Sequence, residues 1–326
     1  MMKTQAVRIH KTGGPDVLVY EEIPLGDPEA GEVRLRQTAI GLNFIDTYHR
    51  SGLYPLPELP AVLGREGAGV VEAVGSGVTE FEPGDRVAYP MSAGAYASER
   101  LIKASELVRL PDSIDARGAA AMMLKGLTAH YLLRRTYRVK PGDTILVHAA
   151  AGGVGLILCQ WATWLGATVI GTVGTAEKAK LVRKHGCEHP IVHSEKGFRD
   201  RVREITGGEG VPVVYDSVGR ATFDESLDCL APMGLMVSYG NASGPVEPIT
   251  IGTLAAKGSL FLTRPTLATY IARREDLVRA AGDLFNVIAE GAVRVKVHQA
   301  YPLAETERAH RDLEARRTTG STVLIP

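Results

Sequence analysis

The first 125 residues of the chain contain short runs in which apolar and polar side chains alternate. Residues 33–39 show the two-residue period of a half-buried strand, and residues 66–75 and 86–89 continue this β character. Glycine and proline turns, such as the one at residues 83–85, separate the runs. The pattern predicts a twisted, partly closed β-domain in this part of the chain.

From about Gly126 the pattern changes to apolar, β-branched runs that alternate with segments typical of helices. The predicted strands are residues 143–148, 166–173, 189–192, 211–216, 234–239 and 259–262. The predicted helices between them are residues 156–165, 176–185, 198–206 and 223–230. Six strands with intervening helices form a complete doubly wound parallel sheet.

After Pro265 the pattern predicts a long amphipathic helix at about residues 270–290. β-like segments at 293–297 and 322–325 follow, with a helix near 306–316 between them. Because this tail resembles the first part of the chain, we expect it to fold back onto that part. No internal repeat or low-complexity segment interrupts the pattern.

The length of 326 residues suits two domains of about 150 residues each. We therefore expect an α/β protein. Its β-rich domain comprises residues 1–125 and 267–326, and its doubly wound domain comprises residues 126–266.

A glycine-rich turn joins the first predicted strand of the second domain to its helix, with Ala150, Gly152 and Gly155 in the spacing Ala-x-Gly-x-x-Gly. Backbone N–H groups at the start of a helix, together with the helix dipole, favour a bound diphosphate. The same spacing also occurs in turns that only connect a strand to a helix. The turn therefore indicates a dinucleotide cofactor without proving one.

The end of the next predicted strand indicates which dinucleotide is bound. An acidic residue there holds the ribose 2′-hydroxyl of NAD(H) and repels a 2′-phosphate. This chain has Gly174 and Thr175 at that point, with Lys178 one helical turn further on. The sequence therefore favours NADP(H), although Lys178 also fits a solvated lysine on a helix surface.

Charge and cysteine content narrow the function classes further. Lysine plus arginine and aspartate plus glutamate number 37 each, so no net charge favours nucleic acid or an anionic membrane. The three cysteines lack metal-ligand spacing and are typical of a reducing compartment. Because the N-terminus lacks a signal-peptide pattern and no apolar stretch reaches membrane-spanning length, we expect a cytoplasmic protein.

Several motifs in order along the chain resemble the medium-chain dehydrogenase/reductase superfamily. They lie at residues 39–48, 50–54, 64–72, 148–155, 214–219 and 263–265. Within the superfamily the chain is most similar to the NADPH-dependent quinone oxidoreductases of the zeta-crystallin-like branch. The resemblance implies a GroES-like catalytic domain and a Rossmann cofactor domain.

The zinc alcohol dehydrogenases of this superfamily carry ligands that the chain lacks. Asn43 stands where they have a cysteine, Arg65 where they have a histidine, and the third ligand falls near Leu124. A catalytic zinc needs three protein ligands from cysteine, histidine or carboxylate. The sequence therefore predicts an enzyme without a metal site.

Without zinc, hydrogen-bond donors must stabilise the negative charge that develops on the acceptor oxygen. The resemblance implies that Asn43, Tyr48, Tyr54 and Thr128 line the nicotinamide and acceptor pocket. Tyrosine hydroxyls remain protonated near neutral pH and so serve as donors. A buried ring with a satisfied hydroxyl is the alternative interpretation for either tyrosine. Asp46 is expected to hold the loop by hydrogen bonds rather than to act as an acid or base.

The resemblance also implies a set of cofactor-binding residues. They are Tyr48, Ala151, Gly152, Gly153, Val154, Gly155, Gly174, Thr175, Lys178, His193, Ser217, Gly240, Asn241, Thr263, Arg264 and Arg316. Two positions stay open: Arg317 is the alternative to Arg316, and the contact made by His193 is undetermined.

These observations and the resemblance together predict a zinc-free NADPH:quinone oxidoreductase. The strand at residues 259–262 is a sheet edge that needs cover, and the resemblance implies a homodimer through it. Whether the electrons pass as hydride or singly is open. One alternative is an NADPH-dependent enone or alkenal reductase with the same fold. The other is a cofactor-binding crystallin-like or RNA-binding protein, against which the balanced charge argues.

Overall fold

The computed structural model of the protein describes residues 2–192 and 197–326. The chain divides into two compact units. The first contains Met1–Leu127, Ile271–Phe285 and Val295–Pro326, and the second contains Thr128–Tyr270 and Asn286–Arg294.

The described residues form the following strands and helices. The strands are β1 (Met2–Ile9), β2 (Leu18–Leu25), β3 (Glu32–Leu42), β4 (Ala61–Val62), β5 (Glu66–Val74), β6 (Arg86–Tyr89), β7 (Glu99–Lys103), β8 (Val108–Arg109), β9 (Thr144–Val147), β10 (Thr168–Val173), β11 (His189–Val192), β12 (Val211–Asp216), β13 (Leu230–Ser238), β14 (Phe261–Thr263), β15 (Val297–Pro302) and β16 (Ser321–Ile325). The α-helices are α1 (Phe44–Ser51), α2 (Ala116–Tyr131), α3 (Gly153–Trp164), α4 (Ala176–Arg183), α5 (Phe198–Ile205), α6 (Phe223–Asp228), α7 (Ile251–Ala256), α8 (Leu267–Tyr270), α9 (Arg274–Ala289) and α10 (Thr306–Glu314).

The first unit is built on two sheets. β2, β1 and β4 form a three-stranded antiparallel sheet, and a seven-stranded sheet has the order β15-β16-β3-β5-β6-β8, with β7 also paired to β3. Register shifts between β3 and β5 bend the larger sheet, as bulges do. β16 pairs with β3, so the C-terminal tail joins the N-terminal β-domain as predicted.

The second unit is a six-stranded sheet with the order β11-β10-β9-β12-β13-β14, in which all neighbours are parallel. This is the doubly wound order that the strand and helix pattern predicted. β9 lies in the middle, where Ile145, Leu146 and Val147 are fully buried. The carboxyl ends of these parallel strands lie along one edge of the sheet, where such folds bind ligands.

The structure differs from the sequence-based prediction in several places. Helices α1, α2, α7 and α8 were missed. Of these, α2 contains the run Ala119–Met123, which is almost completely buried and therefore has no polar face to give a helical period. The helix predicted at about 270–290 is confirmed as α9, which begins only after Arg273, whose guanidinium binds Asp276 in the first turn. The strand predicted at 293–297 pairs only from Val297 onwards.

Candidate active site

The loop after β3 carries three of the residues assigned to the acceptor pocket. Asn43 precedes α1, and its backbone N–H donates to the Asp46 carboxylate at 2.9 Å, which fixes the first turn of the helix. Gly52 ends the helix with φ +84°. The Tyr54 N–H then donates to the Tyr48 carbonyl at 3.0 Å, so the chain folds back on the helix that carries Tyr48.

The Asn43 amide is held by acceptors inside the first unit. Its Nδ2 donates to Glu66 Oε2 at 2.8 Å and to the Gly41 carbonyl at 3.3 Å. Both partners are acceptors, so they determine which way the amide points. The sequence analysis gave Asn43 a donor role toward the acceptor, and the structure shows these donors engaged with the protein.

Glu66 and Lys125 form a buried ion pair that the sequence analysis missed. Lys125 Nζ lies 2.8 Å from Glu66 Oε2, and the side chains are 6% and 0% exposed. The Leu124 N–H also donates to Glu66, at 2.7 Å. The available signal was Lys125, a charged residue within an otherwise apolar run.

Aromatic side chains cover one side of the loop. The rings of Tyr48 and Tyr54 meet edge to face with centroids 5.1 Å apart, and Tyr54 also contacts His49 at 5.8 Å. The Arg65 guanidinium donates to His49 Nε2 at 2.9 Å. Burial, reinforced by the Arg65 charge, lowers the pKa of His49 to about 4. His49 is therefore neutral at physiological pH.

Asp46 is the start of a buried hydrogen-bond chain. Burial raises the pKa of Asp46 to about 7, against the opposing effect of its hydrogen bonds from Asn43 and Tyr96. The Tyr96 hydroxyl donates to Asp46 at 2.8 Å and lies 3.0 Å from His310 Nε2. Asp46 therefore holds the loop through hydrogen bonds, as expected.

The hydrogen-bond chain that starts at Asp46 ends at His310, on α10. Arg50 Nη1 lies 2.9 Å from His310 Nδ1, and because arginine only donates, that nitrogen is the acceptor and Nε2 carries the proton toward Tyr96. Burial, with the Arg50 charge, lowers the pKa of His310 to about 3. Arg50 also binds the Glu314 carboxylate through two hydrogen bonds, at 2.8 and 2.9 Å.

In the second unit, the predicted glycine turn joins β9 to α3. Gly152 precedes α3 and provides no side-chain cap for its first N–H groups. A Cβ on Gly155 would lie 2.5 Å from the Ala149 carbonyl oxygen, and one on Gly152 would lie 3.2 Å from the same atom. These glycines leave a helix N-terminus that fits a diphosphate.

The next strand, β10, ends in an open turn. A Cβ on Gly174 would meet no atom within 4 Å. Thr175 caps α4, where its hydroxyl accepts from the Lys178 N–H at 3.2 Å. Gly174 and Thr175 are exposed and Lys178 is half-buried. This space and its cation fit a phosphate ester beside the ribose.

The loops that follow β12 and β13 meet at the same carboxyl edge of the sheet. The buried Asp216 carboxylate accepts from the N–H groups of Val218 and Gly219, which fixes the loop that contains Ser217. A Cβ on Gly240 would lie 2.5 Å from the Ser217 carbonyl oxygen, so these loops touch through their backbones.

The chain matches two family models, "Zinc-binding dehydrogenase" over residues 153–281 and "Alcohol dehydrogenase GroES-like domain" over residues 29–139. It is 56% identical to the quinone oxidoreductase of Pseudomonas aeruginosa, covering 96% of this chain and 97% of that protein. The chain belongs to the quinone oxidoreductase family.

Two further relatives concern the cofactor and the acceptor. The crystal structure of Escherichia coli quinone oxidoreductase complexed with NADPH matches with a TM-score of 0.97 and 53% identity, over 99% of this chain and 100% of that one. The 2-haloacrylate reductase of a Burkholderia species is 50% identical, over 98% of each protein.

One matching model carries the description "Zinc-binding dehydrogenase". Asn43 and Arg65, which the sequence analysis expected at two zinc-ligand positions, are both engaged by hydrogen bonds. Among residues 2–192 and 197–326, no three histidine, cysteine or acidic side chains form a group that could hold a metal ion.

The remaining predicted residues of this quinone oxidoreductase family member lie in several parts of the chain. Ala151, Val154, Asn241, Thr263 and Arg264 lie with the glycine turn at the carboxyl edge of the second unit, where Arg264 donates to the Ser238 carbonyl at 3.1 Å. Thr128 is buried on α2. Arg316 follows α10 in the first unit with φ +58°, while Arg317 pairs with Asp312 at 2.8 Å. His193 lies outside the described residues.

Proposed function

We propose that the protein is an NADPH:quinone oxidoreductase that transfers reducing equivalents from NADPH to a quinone without a metal ion. The observation that carries this proposal is the 54–56% identity with curated quinone oxidoreductases over almost the whole chain. The geometry supports it, because a dinucleotide site and a loop with hydroxyl and aromatic groups belong to the same chain.

NADPH, when bound, supplies the reducing equivalents for a conjugated acceptor. Gly152, Gly153 and Gly155 would hold its diphosphate at the start of α3, and Gly174, Thr175 and Lys178 would hold its 2′-phosphate. The other residues proposed to contact it are Tyr48, Ala151, Val154, His193, Ser217, Gly240, Asn241, Thr263, Arg264 and Arg316.

The chain's own side chains would bind and orient the acceptor. The hydroxyls of Tyr48 and Tyr54 would donate to the acceptor oxygen, where negative charge develops, and Thr128 is a further proposed pocket residue. The Tyr48 and Tyr54 rings would exclude water. Asn43 would position the loop through Glu66, since its Nδ2 is engaged there.

Steady-state rates with 1,2-naphthoquinone, benzoquinone and a series of 2-alkenals test the proposed reaction. We expect NADPH-dependent reduction of the quinones. Activity with the alkenals alone would replace the proposal with the second candidate, an NADPH-dependent enone reductase. That candidate is supported by the 50% identity to a 2-haloacrylate reductase.

Replacing Lys178 with alanine is expected to raise the Michaelis constant for NADPH about 10–100-fold, because a charged hydrogen bond contributes about 1.5–3 kcal/mol. The constant for NADH should change less than about twofold, since NADH has no 2′-phosphate. Lys180→Ala, an exposed lysine on the same helix, is the matched control. Equal effects on both cofactors would exclude Lys178 from the phosphate site.

A homodimer through β14 is also proposed. This edge strand exposes Phe261 by 62% and Leu262 by 38%, and an apolar sheet edge favours pairing with another strand. Phe261→Lys should therefore shift the protein from dimer to monomer in sedimentation-velocity experiments. Tyr20→Lys, which alters an exposed side chain on β2, should leave the dimer intact. A monomeric parent protein would contradict the proposal.

A cytoplasmic location is the last part of the proposal. Cys159, Cys187 and Cys229 are all buried free thiols, which is typical of proteins from reducing compartments. Among the described residues, no helix is long and apolar enough to cross a membrane.

A further inference from the structure

Arg65 provides a positive charge beside the tyrosines of the loop. Its guanidinium is half-buried and donates to His49 Nε2 at 2.9 Å. The His49 ring packs against Tyr54, and Tyr54 packs against Tyr48. The guanidinium and the three rings therefore form a continuous row along one side of the loop.

The partner of Arg65 does not neutralise its charge. Because arginine only donates, His49 Nε2 accepts and the imidazole is neutral. Among the residues that the structure describes, no carboxylate lies within ion-pair distance of Arg65. Two acids act electrostatically on Arg65: Asp46, whose Oδ2 is engaged by Asn43 and Tyr96, and the half-buried Glu106.

Two other arginines of the first unit, Arg50 and Arg100, have more hydrogen-bond partners for their guanidinium groups than Arg65 has. Arg50 binds the Glu314 carboxylate through two hydrogen bonds. Arg100 donates to Ser92 and to the Ala93 carbonyl and lies over the Tyr89 ring. Among the described residues, Arg65 hydrogen-bonds to one neutral acceptor, the His49 imidazole. Its other N–H donors and its positive charge are therefore available to a ligand. A partly desolvated cation in this state favours an anion.

We propose that Arg65 is a specificity-determining residue that binds a carboxylate on the conjugated acceptor. The planar guanidinium matches a carboxylate through two parallel hydrogen bonds, which neither a tyrosine hydroxyl nor a neutral imidazole provides. The Tyr48 and Tyr54 rings, next in the row, contact the apolar part of such an acceptor. The enzyme therefore prefers acidic quinones or acidic conjugated alkenes to neutral ones of the same shape.

This inference rests on the proposed function, because it names the acceptor class of the same loop. The test compares 1,4-naphthoquinone-2-carboxylate with its methyl ester, which has the same ring without the charge. Arg65→Met should raise the Michaelis constant for the carboxylate about 10–100-fold and that for the ester less than about twofold. Arg65→Lys should restore part of the preference, since it keeps the charge and loses the planar pair of donors.

A binding experiment provides a readout without turnover. Calorimetric titration of the full-length protein, preloaded with NADPH, uses 1-hydroxy-2-naphthoate, which is not a quinone. Its dissociation constant should rise about 10–100-fold in Arg65→Met and stay unchanged in Arg36→Met, an exposed arginine on β3.

Each result decides between defined alternatives. Equal loss with the carboxylate and the ester would overturn the inference and assign Arg65 to holding His49 and the loop. No change with either acceptor would overturn it as well. If neither acceptor is reduced by the parent enzyme, the proposed function fails, and the naphthoate titration still decides whether Arg65 binds a carboxylate.

Discussion

Replacing Lys125 with methionine is expected to lower the free energy of unfolding by about 3–5 kcal/mol. The reason is Glu66, which is completely buried and loses its only cationic partner among the described residues within ion-pair distance. Asn43 and the Leu124 N–H would still donate to it, but they carry no charge. The variant must either bury an unpaired carboxylate or protonate it, and both lower stability.

Equilibrium urea unfolding, followed by circular dichroism, measures this effect. Lys3→Met is the matched control, because Lys3 also binds a glutamate but is 64% exposed, and it should leave the urea midpoint close to that of the parent protein. Adding Glu66→Gln to Lys125→Met should recover part of the loss by removing the unpaired charge. A Lys125→Met variant as stable as the Lys3→Met control would show that Glu66 does not need this lysine.

The fold of the second unit could be predicted because each strand leaves a local signal. β9, β10 and β12 are short β-branched runs buried on both faces, and their order along the chain together with the intervening helices determines a doubly wound sheet. Helix α2 could not be found in the same way, because its Ala119–Met123 run is buried and lacks a polar face.

In the candidate site, too, only features with a local sequence signal could be predicted. The glycine turn and the positions of Asn43, Tyr48 and Tyr54 follow from local motifs. The partners of these residues do not, because they come from distant parts of the chain. Glu66 meets Lys125 across 59 positions, and Arg50 meets His310 across 260. Tertiary packing brings such residues together, since Glu66 lies on β5 and Lys125 on α2, and Arg50 and His310 lie on two further helices, α1 and α10.

The second large effect concerns Asp46 and pH. Burial raises its pKa in the folded protein from 3.8 to about 7. Between these values the unfolded chain releases the proton while the folded protein keeps it, so stability falls as pH rises. Below pH 4 both states are protonated and the contribution is fully present, and above about pH 7 it is lost.

Asp46→Asn removes this titration and keeps an oxygen that accepts from Asn43 and Tyr96. From pH 5 to pH 8, the stability of the variant relative to the parent protein should rise by about 2–3 kcal/mol, since one pKa unit corresponds to about 1.4 kcal/mol. Urea unfolding at several pH values measures this difference.

His49 and His310 are held neutral in the folded protein, so unfolding lets them take up protons and their contribution to stability rises with pH. They are present in both variant and parent protein, so the difference between the two isolates Asp46. Asp27→Asn, at an aspartate whose side chain is 97% exposed, is the control for the substitution itself. A difference that does not depend on pH for Asp46→Asn would mean that Asp46 ionises in the folded protein near its ordinary pKa. The loop would then be held by a carboxylate throughout this range, with the Tyr96 hydroxyl and the Asn43 N–H compensating its burial.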